Sequence, residues 1–252
     1  MTKPAKEPAP VLVWSKQRRT PRRQAPSVEQ TVRAAIVIAD TEGLAALSMR
    51  RVAANLGSGT ASLYRYVASR DELLDLMIDA VRGEAAPPAL SGDWHTDLAN
   101  VARHARATLL RHPWLGLELA GRPALGANSL RQYDVALTAA AALTPDITLA
   151  ANAVDTVLAY VFGAVARELA EQQARRRSGL TEEQWQASVG PYIRDVIASG
   201  AYPQFAHWVL DADDVGPDQR FDFGLACVLD GVAARVRSAG SALPEAVNGA
   251  NE

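Results

Sequence analysis

The chain runs to 252 residues, enough for one compact core or two modest domains, and 48% of them are apolar, an ordinary share for a soluble globular protein. No run of about 18 uncharged apolar residues marks a membrane span, and residues 1–19 hold no apolar stretch of signal-peptide type, so a cytoplasmic protein with no membrane partner is expected. The net charge of −2 hides an asymmetry: residues 1–70 carry twelve Lys/Arg against four Asp/Glu, a balance of +8, while residues 71–252 carry fourteen against twenty-four, a balance of −10. A basic head on an acidic body points to a polyanion as partner of the head alone. The single cysteine, Cys227, sits among apolar residues and reads as a small buried hydrophobe.

Residues 1–26 are rich in Pro, Lys and Arg and lack helical periodicity, which describes a mobile arm. Ser27 and Gln30 then form a capping-box pair, and Val28, Val32, Ala35, Ile36 and Ala39 recur at helical spacing until Gly43. A short helix from Met49 to Leu56 follows, with Ser48 as its N-cap. After the Gly57-Ser58-Gly59 turn comes a second short helix, Thr60 to Tyr66. Ser69 opens a longer one, with Glu72 in the capping-box position and Leu73, Leu74, Met77, Ile78 and Val81 as its apolar stripe. Pro87-Pro88 marks a break. Beyond it, helical periodicity predicts Trp94–Arg111, Trp114–Ala120, Asn128–Leu143, Pro145–Ala174, a helix from Thr181 to Ile197, and Gln219–Ser238. No strand pattern appears. The fold class is all-α.

Two short helices about a sharp turn present the second helix to a major groove wide enough to admit it. Val52, Ala53, Leu56, Leu63 and Val67 would lock the pair. Small residues at Thr60, Ala61 and Ser62 let the second helix approach base edges closely, and Tyr64, Arg65 and Tyr66 reach backbone or bases. The arm adds Arg18, Arg19, Arg22 and Arg23, read either as minor-groove or phosphate contacts or as a solvated tail.

Leu56-Gly57, Ser62-Leu63-Tyr64-Arg65-Tyr66-Val67 and Ser69-Arg70-Asp71-Glu72-Leu73-Leu74 resemble the DNA-binding domain of the TetR family of bacterial regulators, across residues 27–82. The resemblance implies that Arg50 touches phosphate or a base. It makes Thr60, Ala61, Ser62, Arg65 and Tyr66 the reading surface, and Tyr64 and Arg70 phosphate clamps. Tyr66 stands where the family often has histidine. His112-Pro113-Trp114-Leu115 and Arg220-Phe221-Asp222-Phe223-Gly224-Leu225 are similar to the C-terminal domain of the tetracycline-repressor branch.

The helices of 145–174 and 219–238 are apolar on two sides, as expected of core helices or of helices that pair with their copies in a four-helix dimer interface. Val157, Val161, Phe221, Phe223, Leu225, Val228, Leu229 and Val232 are the candidates for such an interface. The branch binds an effector inside each C-terminal domain. Here His104, Trp114, Gln132, Tyr133, Asn152, Asp155 and Tyr160 are the candidate contacts of a hydrophobic small molecule, each weighed against an ordinary core or surface role. Leu117–Pro123 and Arg82–Ala86 lack the histidines with which the tetracycline repressor holds its drug–magnesium complex, so that effector is not expected.

Asp211 to Asp222 only faintly matches a calcium loop, and the four histidines show no zinc spacing, so neither metal nor cofactor is expected. No catalytic grouping is visible. The expected plan is an arm over 1–26, a three-helix helix-turn-helix domain over 27–72, a helical effector-binding and dimerisation domain over 73–240 entered through a connecting helix, and a disordered tail over 241–252. Its expected partners are double-stranded operator DNA, a small-molecule effector and a second copy of the chain. An activator with the same head, or a ligand-binding helical enzyme with a vestigial head, is the alternative to a repressor.

Overall fold

The computed structural model describes residues 26–121 and 124–241, together with Trp14. All of its regular structure is helical among the described residues, as the periodicity predicts. Helix α1 (Val28–Glu42) starts at the expected capping box: Ser27 Oγ accepts from Gln30 N at 3.1 Å, and Gln30 Oε1 accepts from Ser27 N at 2.9 Å. It ends at Gly43, whose φ of +83° a side chain would resist. A 3-10 turn (Leu44–Ala46) leads to α2 (Met49–Asn55), capped by Ser48, then α3 (Thr60–Tyr64) and α4 (Arg70–Arg82). Leu47, Val52, Leu63, Val67, Leu73 and Met77 are almost fully buried between these helices. A leucine such as Leu63, removed wholly from water, contributes roughly 2–3 kcal/mol.

The start of α4 differs in detail from expectation. Ser69 Oγ caps Glu72 N at 3.0 Å, but the Glu72 carboxylate reaches back one residue further, to Ala68 N at 3.1 Å. Next come α5 (Trp94–Arg111), α6 (Leu115–Gly121), α7 (Ala127–Ala141) and α8 (Ile147–Ser178). Helix α1 packs on α2 and α4, α4 packs also on α7, and α7 packs on α5.

Two compact units divide between Val154 and Asp155, inside α8. The helix-turn-helix shares the first unit with α4, α5 and α7. The second unit holds the rest of α8, then α9 (Glu182–Ala198), α10 (Pro203–Asp211) and α11 (Pro217–Ser241). Helix α10 was not expected. It begins at Pro203 without a side-chain cap, and Tyr202, Phe205, Trp208 and Leu210 around it are all exposed. By length and composition α8 is apolar enough to cross a membrane, with a mean hydropathy of 1.6 over an 18-residue window. Its stripe Ala150, Ala153, Val154, Val157, Val161 and Val165 is instead buried in the protein.

Candidate nucleic-acid interface and effector site

The exposed face of α3 is the first candidate. Leu63 and Val67 are fully buried and anchor it, while Ala61, Tyr64 and Arg65 are exposed and Thr60, Ser62 and Tyr66 are half-buried. Tyr64 exposes 52% of its surface. Arg65 Nη2 donates to Ser62 Oγ at 3.3 Å, which holds its guanidinium along the helix. The α3 segment is shorter than expected, because Tyr66 N turns to Leu63 O at 2.9 Å and closes the last turn tightly. On α2, Arg51 is tied to Glu42 at 2.6 Å, and the neighbouring Arg50 is exposed. Arg70 has an internal role: Nε donates to Leu47 O at 3.3 Å and Nη2 to Leu44 O at 3.2 Å, fastening the start of α4 to the turn before α2. Arg18, Arg19, Arg22 and Arg23 lie outside the described residues.

A polar seam joins this head to the rest of the first unit. Asp40 of α1 accepts from the Trp114 indole N–H at 2.7 Å and lies 2.9 Å from His112 Nδ1. His112 Nε2 faces Glu84 at 3.0 Å, just past the end of α4, and Arg111 donates to the same carboxylate at 3.3 Å. Further along α4, Asp79 is buried, and its Oδ1 accepts from Asn128 N and Ser129 N, both at 2.9 Å. It thereby caps α7, whose own N-cap Gly126 has no side chain to do so. Arg82 Nη1 donates to Gln132 Oε1 at 2.8 Å, and Gln132 Nε2 donates to Arg82 O and lies 3.3 Å from His104 Nε2.

The expected effector contacts therefore separate. His104 and Gln132 meet, at the junction of α4, α5 and α7. Trp114 is 6% exposed, and its indole N–H joins the chain after α5 to Asp40 of α1. Tyr133, Asn152 and Asp155 lie on the surface. In the second unit, Tyr160 donates to Phe221 O at 2.7 Å and packs on the Phe221 ring at 5.5 Å. It lines an open groove of about 900 Å³ with Arg167, Glu168, Arg220 and Phe223. Sequence reasoning missed Asp40, Asp79 and Arg82. No local signal distinguishes them, since a carboxylate or an arginine on a helix is usually solvated.

The expected dimer residues also divide. Val157, Val161, Phe221, Leu225, Leu229 and Val232 are buried within the single chain, Val228 is half-buried, and Phe223 alone is widely exposed, at 75%. The stripe thus serves the chain's own core. Cys227 is exposed, which corrects its reading as a buried hydrophobe.

Residues 86–236 match the family model for the tetracyclin repressor-like C-terminal domain, and residues 32–77 match that for bacterial regulatory proteins of the tetR family. The chain belongs to the TetR family. Its members are DNA-binding transcriptional regulators and not enzymes, and the HTH-type transcriptional repressor DrrR1 of Streptomyces coeruleorubidus is 43% identical over 231 residues, 89% of this chain and 84% of that protein. The class A tetracycline repressor of transposon 1721 from Escherichia coli is 30% identical, over 81% of this chain and 89% of its own length. Among solved TetR structures, apo ActR of Streptomyces coelicolor superposes with a TM-score of 0.70 at 29% identity, covering 86% of this chain and all of that one. ActR has also been solved in complex with actinorhodin and with (S)-DNPA.

Proposed function

We propose that this TetR-family protein is a ligand-responsive transcriptional repressor that binds a near-palindromic operator as a homodimer in the cytoplasm and is released by a small-molecule effector. The observation that carries the reading is the exposed Ala61–Tyr64–Arg65 face of α3 over the buried Leu63 and Val67. Arg65 reads a base, Tyr64 and Arg50 hold phosphates, and Thr60, Ala61, Ser62 and Tyr66 complete the surface. Arg70 contributes by seating the start of α4, and the basic arm with Arg18, Arg19, Arg22 and Arg23 adds phosphate contacts that steepen the salt dependence. Two copies pair through the exposed faces of α8 and α11, where Ala159, Gly163 and Ala166 face out on one helix and Phe223, Cys227 and Gly231 on the other.

DrrR1 is named a repressor and ActR is seen with a bound small molecule, which supports repression relieved by an effector over activation. The effector acts near His104 and Gln132. From there the Asp79–Asn128 and Arg82–Gln132 contacts lead into α4, the helix that carries the head. Its leverage equals its differential affinity for the DNA-competent and DNA-incompetent states.

The test is to recover genomic fragments on the purified protein, then to footprint the tightest one and to measure the mass of the free protein. Two protected half-sites about one helical turn (~34 Å) apart, with a dimeric mass, are expected. A monomer that protects one unsymmetrical site would overturn the dimeric part of the reading, and no selective recovery would overturn all of it.

A further inference from the structure

We infer that the effector site reads an anion: Arg82 offers the Nε–Nη2 edge of its guanidinium to a carboxylate on the small molecule. This rests on the effector reading above and names the chemistry its ligand must carry.

Arg82 is a cation with no ion-pair partner among the described residues. Nη1 donates to the neutral Gln132 Oε1, while Nε is closed to solvent and has no acceptor among the described residues. No carboxylate among them lies within ion-pair distance of it. Asp79, one turn earlier on α4, is saturated: Oδ1 takes Asn128 N, Ser129 N and Ser129 Oγ, and Oδ2 takes Asn128 Nδ2. Glu84, two residues further on, is held by His112 and Arg111. The contrast is Arg220, whose Nε is also closed off but whose Nη2 has Glu171 at 3.8 Å.

The groups that face Arg82 reinforce the imbalance. Burial pushes Arg82 below its ordinary value, with the charge of Asp79 acting the other way, yet a guanidinium keeps its proton at neutral pH. His104, through Gln132, is pushed down first by burial and then by the charges of Arg82 and Arg111, so it stands neutral there. A half-buried positive charge whose Nε lacks an acceptor, beside a neutral imidazole, suits a planar anion, and carboxylate matches the fork of an arginine in both geometry and charge. A carboxylate on that edge pulls on the same guanidinium whose Nη1 bonds Gln132, and so acts on the contact by which α7 holds the end of α4.

The experiment screens the full-length protein by thermal shift against a panel of small organic carboxylic acids, each matched with its primary amide. The best pair is then titrated calorimetrically. The wild type is expected to bind the acid about tenfold or more tighter than the amide, as charge-assisted bidentate bonds do over neutral ones. That preference should collapse in Arg82→Gln and survive in Arg220→Gln, whose guanidinium lies outside the site. Should Arg82→Gln fail to fold, the Arg82 Nε–H resonance of the wild type gives the answer: it moves on adding the acid and stays on adding the amide. Equal binding of acids and amides, a preference that survives Arg82→Gln, or an unmoved Nε–H would each overturn the assignment. An acid that binds through Arg82 yet leaves operator binding intact would uphold the anion site and sink the effector reading. Release of the operator by amide and acid alike would do the reverse.

Discussion

His112 Nδ1 stands 2.9 Å from Asp40 Oδ1, so a residue at the end of α5 touches the first helix of the DNA-binding head. The same oxygen accepts from Trp114, and the other face of the imidazole meets Glu84. Two distant segments, α1 and the chain just past α4, converge on one ring that is 3% exposed. The head of this TetR protein is therefore joined to the regulatory helices by polar contacts of fixed geometry, and not only through α4.

Removal of that carboxylate leaves two buried donors without an acceptor. Asp40→Ala is expected to lower the unfolding free energy by about 1–3 kcal/mol, the cost of an unsatisfied buried polar group. Urea unfolding followed by circular dichroism checks it, and an unchanged midpoint would show the contact to be dispensable.

The cap that Asp79 provides for α7 makes a paired prediction. A Cβ at Gly126 would collide with the Asp79 side chain, so Gly126→Ala should destabilise by about 1–3 kcal/mol. Asp79→Ala should cost about 1–2 kcal/mol through loss of the cap. In the Asp79→Ala background the Gly126→Ala penalty should shrink, because the atoms it would strike are gone. A double-mutant cycle measures the coupling, and strictly additive costs would contradict the geometry.

What was legible in the sequence was local. The Ser27–Gln30 box and the Ser48 cap each lie within one helical turn, and each forms as expected. Helix α10 escaped because Pro203 supplies its start in place of a capping side chain, and because its apolar residues point into solvent and trace no buried stripe. The contacts of Asp40, Asp79 and Arg82 span from 49 to 74 residues, and no periodicity encodes them. Arg70 adds a further case: beside the phosphate role its motif suggests, it bonds the carbonyls of Leu44 and Leu47, more than twenty residues earlier, which no local pattern encodes.

Stability should fall on the acid side in two stages. His104 is held below its ordinary value of 6.5, first by burial and then by Arg82 and Arg111. A base whose folded value is depressed stabilises the fold above the unfolded value, and that contribution fades as pH drops from 6.5 toward the lower folded one. Asp97 is held below 3.8, first by the Ser91 N–H, so its contribution is present above that pH and is lost as pH falls below it. His104→Gln should flatten the first stage and Asp97→Asn the second, as read from melting temperature against pH. A wild-type curve level from pH 7 to 5 would contradict the first.

Phe223 offers a check on pairing that spares the fold. It is 75% exposed in the single chain, so Phe223→Asp should weaken self-association by about tenfold or more, the scale of a lost interface anchor. Sedimentation of the variant should show monomer appearing at concentrations where the wild type is dimeric. Identical sedimentation would place the interface elsewhere.

The central claim is that the outer face of α3 reads duplex DNA. The most direct measurement is a fluorescence anisotropy titration of the wild type and of the Tyr64→Ala/Arg65→Ala variant, on the recovered operator fragment and on a scrambled duplex. The wild type should prefer the operator by about 10³-fold or more. The variant should fall to the scrambled level with its unfolding midpoint unchanged, since both side chains are exposed. A variant that still binds the operator as tightly as the wild type, or a wild type that treats the two duplexes alike, would contradict the account.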